Sequence, residues 1–318
     1  MKYFLAKMTL GCKARKEIPE DHFAQIRRHK SNLIRALEIE ERFHILLSNY
    51  VEFEEEVVGR SIEHNLYAKR VPHQMDDDRI ALNRRITNLL SSCRLYLDQL
   101  MHSIKDIFGD GAELTEVRDL AHTQYDNSLS YRLMEAVRNF VQHRGLAASS
   151  YSVSHTTTQE GENSRVACTV TPQLVCKDLA SDPKVTAKVK NELNKLPPSV
   201  DLKPHVRSYI EALWRIHSGV RSILSDGCSE WEETIEDAVA EFKTHVGIQT
   251  TGVPLGLAII HGESEYPYTI AEKHDVFFGF IERRKLLEEK NVVNQNLATR
   301  FATGQESALL KTNRRPKR

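Results

Sequence analysis

The 318-residue sequence has few cysteines and no long apolar run, and both shortages restrict the kind of protein it encodes. The five cysteines, at positions 12, 93, 168, 176 and 228, include no Cys-x-x-Cys pair. This pattern is typical of reduced thiols in a cytosolic protein. The apolar stretch near the N-terminus is too short and too interrupted for a signal peptide, and no later run reaches spanning length. We therefore expect a cytoplasmic protein without a membrane segment.

An excess of charge of either sign is also missing. The 44 lysines and arginines balance the 44 aspartates and glutamates, so the formal net charge is zero. A protein that binds nucleic acid over a broad, non-specific surface usually has a basic excess. The composition therefore counts against that class, although a local basic cleft is compatible with a neutral chain.

The motifs of the common metal and cofactor sites are absent. The sequence contains no Walker A loop, Rossmann glycine fingerprint, His-Glu-x-x-His helix, EF-hand loop or Gly-x-Ser-x-Gly elbow. The fourteen histidines are scattered, and no pair of them has metal-ligand spacing with a matching acid or thiol. We expect neither a metal nor an organic cofactor, and a conventional metal hydrolase is disfavoured.

Most of the chain shows the apolar periodicity of an α-helix. Apolar residues recur at helical spacing in residues 19–67, 77–108, 112–124, 131–144, 183–195, 204–224 and 229–246. Asp76–Asp78 favour a helix start, and Gly109–Gly111 and Asp226-Gly227 are predicted turns. Ser229 and Glu232 match a capping box. The acidic run Glu54–Glu56 is interpreted as a solvated face.

One clear β signal interrupts the helices. Ser149–His155 and Arg165–Val175 are rich in β-branched residues and flank a polar stretch that contains Gly161. They predict a β-hairpin over about 149–175. Residues 2–9 are interpreted as a short strand or an apolar arm, and 248–262 as an extended strand or a buried loop.

The predicted organisation is a mainly α-helical body over residues 1–248 with the hairpin inserted into it. Residues 249–318 form a predicted C-terminal extension with a helix at about 270–289. The extension ends in a polar tail, KTNRRPKR, which we expect to be disordered.

The most chemically pointed stretch is YRLMEAVRNFVQHRG, residues 131–145. At 100° per residue, one stripe of this helix carries Leu133, Met134, Val137, Phe140 and Val141. The other side carries Glu135, Arg138, Asn139, Gln142 and His143. Asn139 and His143 are four apart and can hydrogen-bond, whereas Arg138 and His143 lie roughly 140° apart around the axis. Either the helix distorts near a C-cap at Gly145, or the groups meet their copies across the two-fold axis of a dimer.

The string R-N-F-V-Q-H resembles the R-x(4–6)-H motif of HEPN domains (higher eukaryotes and prokaryotes nucleotide-binding). In that family a polar residue, often asparagine, follows the arginine, and Arg138, Asn139 and His143 match this pattern position by position. The resemblance implies an antiparallel HEPN-like helical bundle that forms a homodimer and places two copies of the motif in one cleft. Many members are metal-independent ribonucleases in toxin–antitoxin, phage-defence and RNA-processing systems. Other members are non-catalytic binding modules.

The residue chemistry fits RNA cleavage by attack of the 2′-hydroxyl group. The histidine side chain is suited to proton transfer near neutral pH, so His143 could take or give a proton. Arg138 stays charged and can stabilise the phosphorane, while Asn139 would orient His143 or a phosphate. The substrate supplies its own nucleophile, so no metal is required. An antitoxin or a defence protein is the partner that the resemblance implies.

Two alternatives stay open at this stage. On spacing alone, the three residues would cap helix carbonyls and form a hydrogen-bond network at a dimer interface, since basic groups complement a helix C-terminus. The chain would then be a non-catalytic HEPN-like dimer that binds a nucleotide, a nucleic acid or a protein. The simplest interpretation of the arginines at 84, 85 and 94 is that they lie on the surface and keep the protein soluble. A second hypothesis is that some of Asn83, Arg84 and Arg85 line the same cleft as His143.

Overall fold

The computed structural model describes residues 1–8, 14–67, 72–160, 163–249, 252–254, 256–262, 273–277 and 279–300. These residues form a mainly α-helical protein with two small antiparallel sheets, which confirms the predicted class. The helices are α1 Glu20–Leu66, α2 Pro72–Phe108, α3 Ala112–Asn127, α4 Leu129–His143, α5 Cys176–Ala180, α6 Ala187–Leu193, α7 Leu202–Val246 and α8 Phe280–Lys290. The strands are β1 Lys2–Lys7, β2 Arg15–Ile18, β3 Ser150–Glu160, β4 Asn163–Val175, β5 Ser199–Asp201, β6 Leu257–Gly262 and β7 Lys273–Val276. None of the described helices combines the length and the apolar composition needed to cross a membrane.

The chain divides into two compact units, and each is assembled from segments that are distant in sequence. The first comprises the described residues of 1–43, 99–115 and 218–292. The second comprises those of 44–98, 116–217 and 293–318. Strand β6, which follows residue 248, pairs with β1 in the first unit. The tail predicted to be disordered lies, from residue 301 on, outside the described residues.

The first unit contains a four-stranded sheet in the order β2-β1-β6-β7. Phe4 pairs with Ile260 and Ala6 with Ala258, and these four side chains form a buried cluster on one face. Leu257–Ile260 are buried on both faces, which accounts for the continuous apolar run there. The predicted hairpin is therefore not the only β structure. The predicted helix at 270–289 is wrong in its first part, because β7 occupies 273–276 and α8 begins at Phe280.

The second unit contains the predicted hairpin, which is confirmed and is longer than the pattern suggested. β3 pairs with β4 from Ser150↔Gln173 to Glu160↔Asn163, and β5 adds a third strand. The polar residues expected in a flexible tip continue the strands instead, while Gly161 lies outside the described residues. The buried side chains Val170 and Leu174 of β4 belong to the core of this unit.

Helix α7 is continuous, so the turn predicted at Asp226-Gly227 is wrong. A Cβ atom on Gly227 would lie 2.8 Å from Cζ2 of Trp231, whose side chain is buried. Glycine is therefore needed at this position to accommodate the indole ring on the helix surface. The predicted capping box is also wrong, because the Ser229 hydroxyl donates to the Ser225 carbonyl within the helix.

Two acidic stretches have roles other than those predicted. Helix α2 begins five residues before the predicted start, so Asp78 lies inside the helix. Its buried carboxylate accepts hydrogen bonds from Arg60 and the Tyr151 hydroxyl, and it contacts His64. The run 54–56 is not a solvated face as a whole. Glu54 forms two hydrogen bonds with Arg207, and Glu56 pairs with arginines at 60 and 85.

Candidate functional site

Helix α4 carries all three residues of the candidate motif. Ser128 caps its N-terminus by accepting a hydrogen bond from the Tyr131 backbone N–H at 3.1 Å. The four consecutive residues 131–134 are all buried, so the first half of the helix is covered on every side. This differs from the single apolar stripe predicted from the sequence. The helix is therefore a central element of the second unit.

Helix α4 ends at His143, and its last turn is in close contact with the loop that follows. Arg144 is the C-cap, and its backbone N–H donates to the Phe140 carbonyl at 2.8 Å. The predicted C-cap at Gly145 is wrong, since Gly145 does not adopt the left-handed conformation. A Cβ atom on Gly145 would lie 3.1 Å from the Phe140 ring. The glycine therefore allows the loop to pass close to the motif helix.

Arg138 points into the second unit and is not on a solvated face. Only 12% of its side chain is exposed. Its Nη2 atom donates to Oδ1 of Asn139 at 2.7 Å and lies 3.5 Å from Oε2 of Glu135. Its Nε atom is buried and forms no hydrogen bond with any described residue. An unsatisfied buried donor costs about 1–3 kcal/mol, so an acceptor that reached this nitrogen would be bound favourably.

Glu135 connects this guanidinium to the interior of the second unit. Its second carboxylate oxygen, Oε1, accepts a hydrogen bond from the hydroxyl of Tyr209, which is fully buried on α7. Burial, and next the negative charge of Glu135, raise the pKa of the Tyr209 hydroxyl well above its usual range. The pKa of the Cys93 thiol is raised by the same two causes. Glu135 therefore places a negative charge beside neutral phenol and thiol groups, and Arg138 balances it.

His143 is exposed at the end of α4 and lies apart from this network. Within the described chain it forms no hydrogen bond with Arg138 or Asn139. The predicted hydrogen bond between Asn139 and His143 is not formed, because the Asn139 oxygen accepts from Arg138 instead. One chain therefore brings Arg138 and Asn139 together and leaves the histidine free to meet another molecule.

The residues proposed for the cleft lining have structural partners. Asn83 is buried and exchanges two hydrogen bonds, each 2.9 Å, with the backbone of Ala148 in the loop after α4. Arg85 pairs with Glu52 and Glu56, whereas the Arg84 side chain is 63% exposed. Asn83 thus anchors the chain behind the motif helix through backbone contacts.

Two members of the network were not assigned to the site from the sequence. Glu135 lies three residues before Arg138, and this helical spacing is a signal that predicts contact. Tyr209 has no such signal, because it lies on α7 in an apolar pattern and meets Glu135 only through the fold.

Metal ligands and reactive thiols are not apparent in the described chain. No three histidine, cysteine, aspartate or glutamate residues lie together there as a metal site requires. The four described cysteines carry free thiols, and burial raises the pKa of each, that of Cys228 to about 11. A raised thiol pKa leaves little thiolate near neutral pH, so these groups are poor nucleophiles.

No protein-family model matches the chain, and no curated protein or solved structure matches it. The resemblance to HEPN domains therefore stays a prediction based on Arg138, Asn139 and His143.

Proposed function

We propose that the chain is a metal-independent endoribonuclease of HEPN type that cleaves RNA by attack of its 2′-hydroxyl group. The position of Arg138 carries this proposal. Its guanidinium is held by Glu135 and Asn139 and has an unpaired buried nitrogen. It lies on the same short helix as the exposed His143. A fixed cation and a free imidazole are the two kinds of group that cleavage of an RNA phosphodiester needs.

The proposed mechanism assigns one task to each group. His143 removes the proton from the 2′-hydroxyl group or protonates the departing 5′-oxygen. Arg138 donates hydrogen bonds to the phosphorane oxygens, where negative charge develops. Asn139 orients Arg138, since its side-chain oxygen already accepts from that guanidinium. General acid–base catalysis contributes roughly two to four orders of magnitude in rate.

A second copy of the chain completes the proposed site. His143 and Arg138 are separated by five residues, which is about 7.5 Å along a helix and 140° around it. A two-fold axis near the end of α4 would bring both histidines to one phosphate, one as base and one as acid. We propose a homodimer that acts on cellular RNA in the cytoplasm, in toxin–antitoxin or phage defence. An antitoxin or a defence protein would restrain it.

One observation favours a second candidate function, a non-catalytic HEPN-like dimer that binds a nucleotide, a nucleic acid or a protein. Arg138 already has two partners within its own helix, Glu135 and Asn139. Such contacts also fit a residue whose role is to stabilise α4. In that case His143 has no chemical task and its removal has no effect on function.

Cleavage of total cellular RNA in the presence of EDTA tests the proposal. We expect the purified wild-type protein to cleave RNA and His143→Ala to lower the rate roughly 100-fold to 10,000-fold, because a proton-transfer group is lost. His122→Ala is the matched control, since His122 is another exposed helical histidine. We expect it to retain the wild-type rate.

Arg138 is tested by Arg138→Lys, which keeps the charge but not the planar fork. We expect slower cleavage with an unchanged thermal unfolding midpoint. Cleavage at equal rates by wild-type and His143→Ala proteins would refute the proposed site. Absence of cleavage by the wild-type protein, together with partner binding that is indifferent to His143→Ala, would support the binding module.

A further inference from the structure

A groove in the first unit combines aromatic rings with two arginines that pair with no acidic residue of the described chain. Its cavity of about 560 Å³ is lined by α1 and by the two central strands of the four-stranded sheet, β1 and β6. The residues that matter for its chemistry are Tyr3, Phe23, Arg27, Arg28, Asn32 and His261. A volume of this size is typical of a small-molecule site.

Three rings form one side of the groove. Tyr3 of β1 and His261 of β6 are directly opposite each other in the sheet, and Phe23 of α1 packs against both. The ring centroid of Phe23 is 4.8 Å from that of Tyr3 and 5.5 Å from that of His261. Phe23 is buried, whereas Tyr3 and His261 are half-buried and border the cavity. The two outer rings therefore offer aromatic surface to a planar ligand.

The helical side of the groove is cationic. Arg27 and Arg28 are exposed, and neither forms an ion pair with any described residue. The two nearby carboxylates have partners of their own. Glu20 accepts the Tyr3 hydroxyl at 2.7 Å, and Asp106 lies 3.2 Å from a guanidinium nitrogen of Arg35. The groove thus has two arginines available for an anion.

We propose that this groove binds a nucleoside monophosphate, either free or as one unit of a single-stranded RNA. The base stacks on the Tyr3 or His261 ring, because every nucleobase has a π-face that an aromatic side chain can contact. The phosphate contacts Arg27 and Arg28, whose guanidinium groups match phosphate oxygens. Asn32 is within the same groove and supplies an amide for the sugar or the base edge. This site is separate from the α4 motif.

Fluorescence anisotropy with the full-length protein and a labelled 2′-O-methyl adenosine hexamer tests the proposal. This probe lacks the 2′-hydroxyl nucleophile, so it is not cleaved and reports binding even if the proposed ribonuclease activity is absent. We expect Arg27→Ala/Arg28→Ala to weaken binding and to reduce the slope of log affinity against log salt by about 1.4, from two lost phosphate contacts. We expect His261→Ala to weaken binding about 5- to 100-fold, and His261→Phe to retain most of it.

Arg118→Ala is the matched control, since Arg118 is an exposed arginine on α3 in the second unit. Equal thermal unfolding midpoints would show that each variant is folded. Competition by adenosine monophosphate at the affinity of the hexamer would identify a free nucleotide as the ligand, and a much tighter hexamer would identify an RNA strand. Failure of the wild-type protein to bind either probe, or wild-type affinity in both the arginine and His261→Ala variants, would overturn the proposal.

Discussion

Three arginine side chains of the second unit lie mostly inside the protein, and each of them contacts a carboxylate. Arg138 contacts Glu135, Arg132 forms two hydrogen bonds with Glu192, and Arg207 forms two with Glu54. Removing one partner of a buried ion pair costs about 3–5 kcal/mol, because the remaining charge is left in the interior. Charge alone is therefore a poor guide to exposure in this chain, and the sequence did not predict that Arg138 faces inward.

His205 gives the second unit a pH-dependent stability. Its ring is half-buried and Nδ1 is 2.9 Å from the Ser130 hydroxyl. Burial lowers its pKa below the usual value of 6.5. Below pH 6.5 the unfolded chain therefore binds a proton that the folded chain rejects, so the free energy of unfolding falls as the pH falls. We expect urea midpoints of the wild-type protein to fall more steeply between pH 7.5 and 5.5 than those of His205→Gln.

Comparing the wild-type protein with His205→Gln separates the contribution of His205 to the pH dependence from those of the other titrating groups. Glu288, whose pKa is raised by burial, acts in the opposite direction, because its protonated form is favoured in the folded state. His122→Gln is the control, since it removes an exposed histidine of the same unit. Identical pH dependence in wild-type and His205→Gln proteins would contradict the assignment.

At the scale of the elements, long helices were predictable because their apolar residues recur over many turns. α1 was predicted to within about one residue at each end. The break predicted in α7 was wrong because glycine is a weak local signal, and packing decided its conformation. β2 and β7 were missed because each has only four residues, too few for an alternating pattern to stand out.

We expect substitution by alanine to have opposite effects on stability at two helical glycines, Gly59 and Gly227. Gly→Ala in a helix interior usually stabilises by about 0.5–1 kcal/mol, since alanine loses less backbone entropy on folding. Apart from its immediate neighbours along α1, no atom of the described chain lies within 4 Å of the position that a Cβ atom on Gly59 would occupy, so we expect Gly59→Ala to raise the urea midpoint. At Gly227 the added methyl would overlap the buried Trp231 ring. We expect Gly227→Ala to destabilise by about 1–3 kcal/mol.

Equilibrium unfolding in urea measures both glycine variants under the same conditions. Comparing the tryptophan fluorescence of the wild-type and Gly227→Ala proteins provides a second probe, because the Trp231 ring is the group that has to move and Trp214 contributes to both signals. A stabilised Gly227→Ala protein would mean that the indole does not pack over this position.

For the whole molecule, the contacts that could not be predicted are those between distant segments. β1 pairs with β6, about 250 positions later, and no periodicity within either strand identifies its partner. The same applies to the candidate site. The Glu135–Arg138 contact follows from helical spacing, whereas the Tyr209 hydroxyl reaches Glu135 only because α7 and α4 pack together. Contacts within α4 could therefore be predicted from the sequence, whereas the contact with α7 could not.

The proposed ribonuclease also makes a prediction about the number of chains in the active species. If each cleft needs His143 from two copies, an inactive copy disables any dimer it enters. We expect that refolding wild-type protein from urea with a ninefold excess of His143→Ala lowers the activity per wild-type chain about tenfold, since roughly one wild-type chain in ten then finds a wild-type partner.

The control for this mixing experiment is a ninefold excess of Arg118→Ala, which carries an intact motif. We expect the mixture of wild-type and Arg118→Ala chains to be as active as the same amount of wild-type dimer, because every cleft keeps both histidines. Analytical ultracentrifugation should show one dimeric species in both mixtures. If the excess of His143→Ala leaves the activity per wild-type chain unchanged, each chain acts alone. His143 and Arg138 would then have to approach one phosphate within a single chain, and α4 would have to unwind at its last turn to allow it.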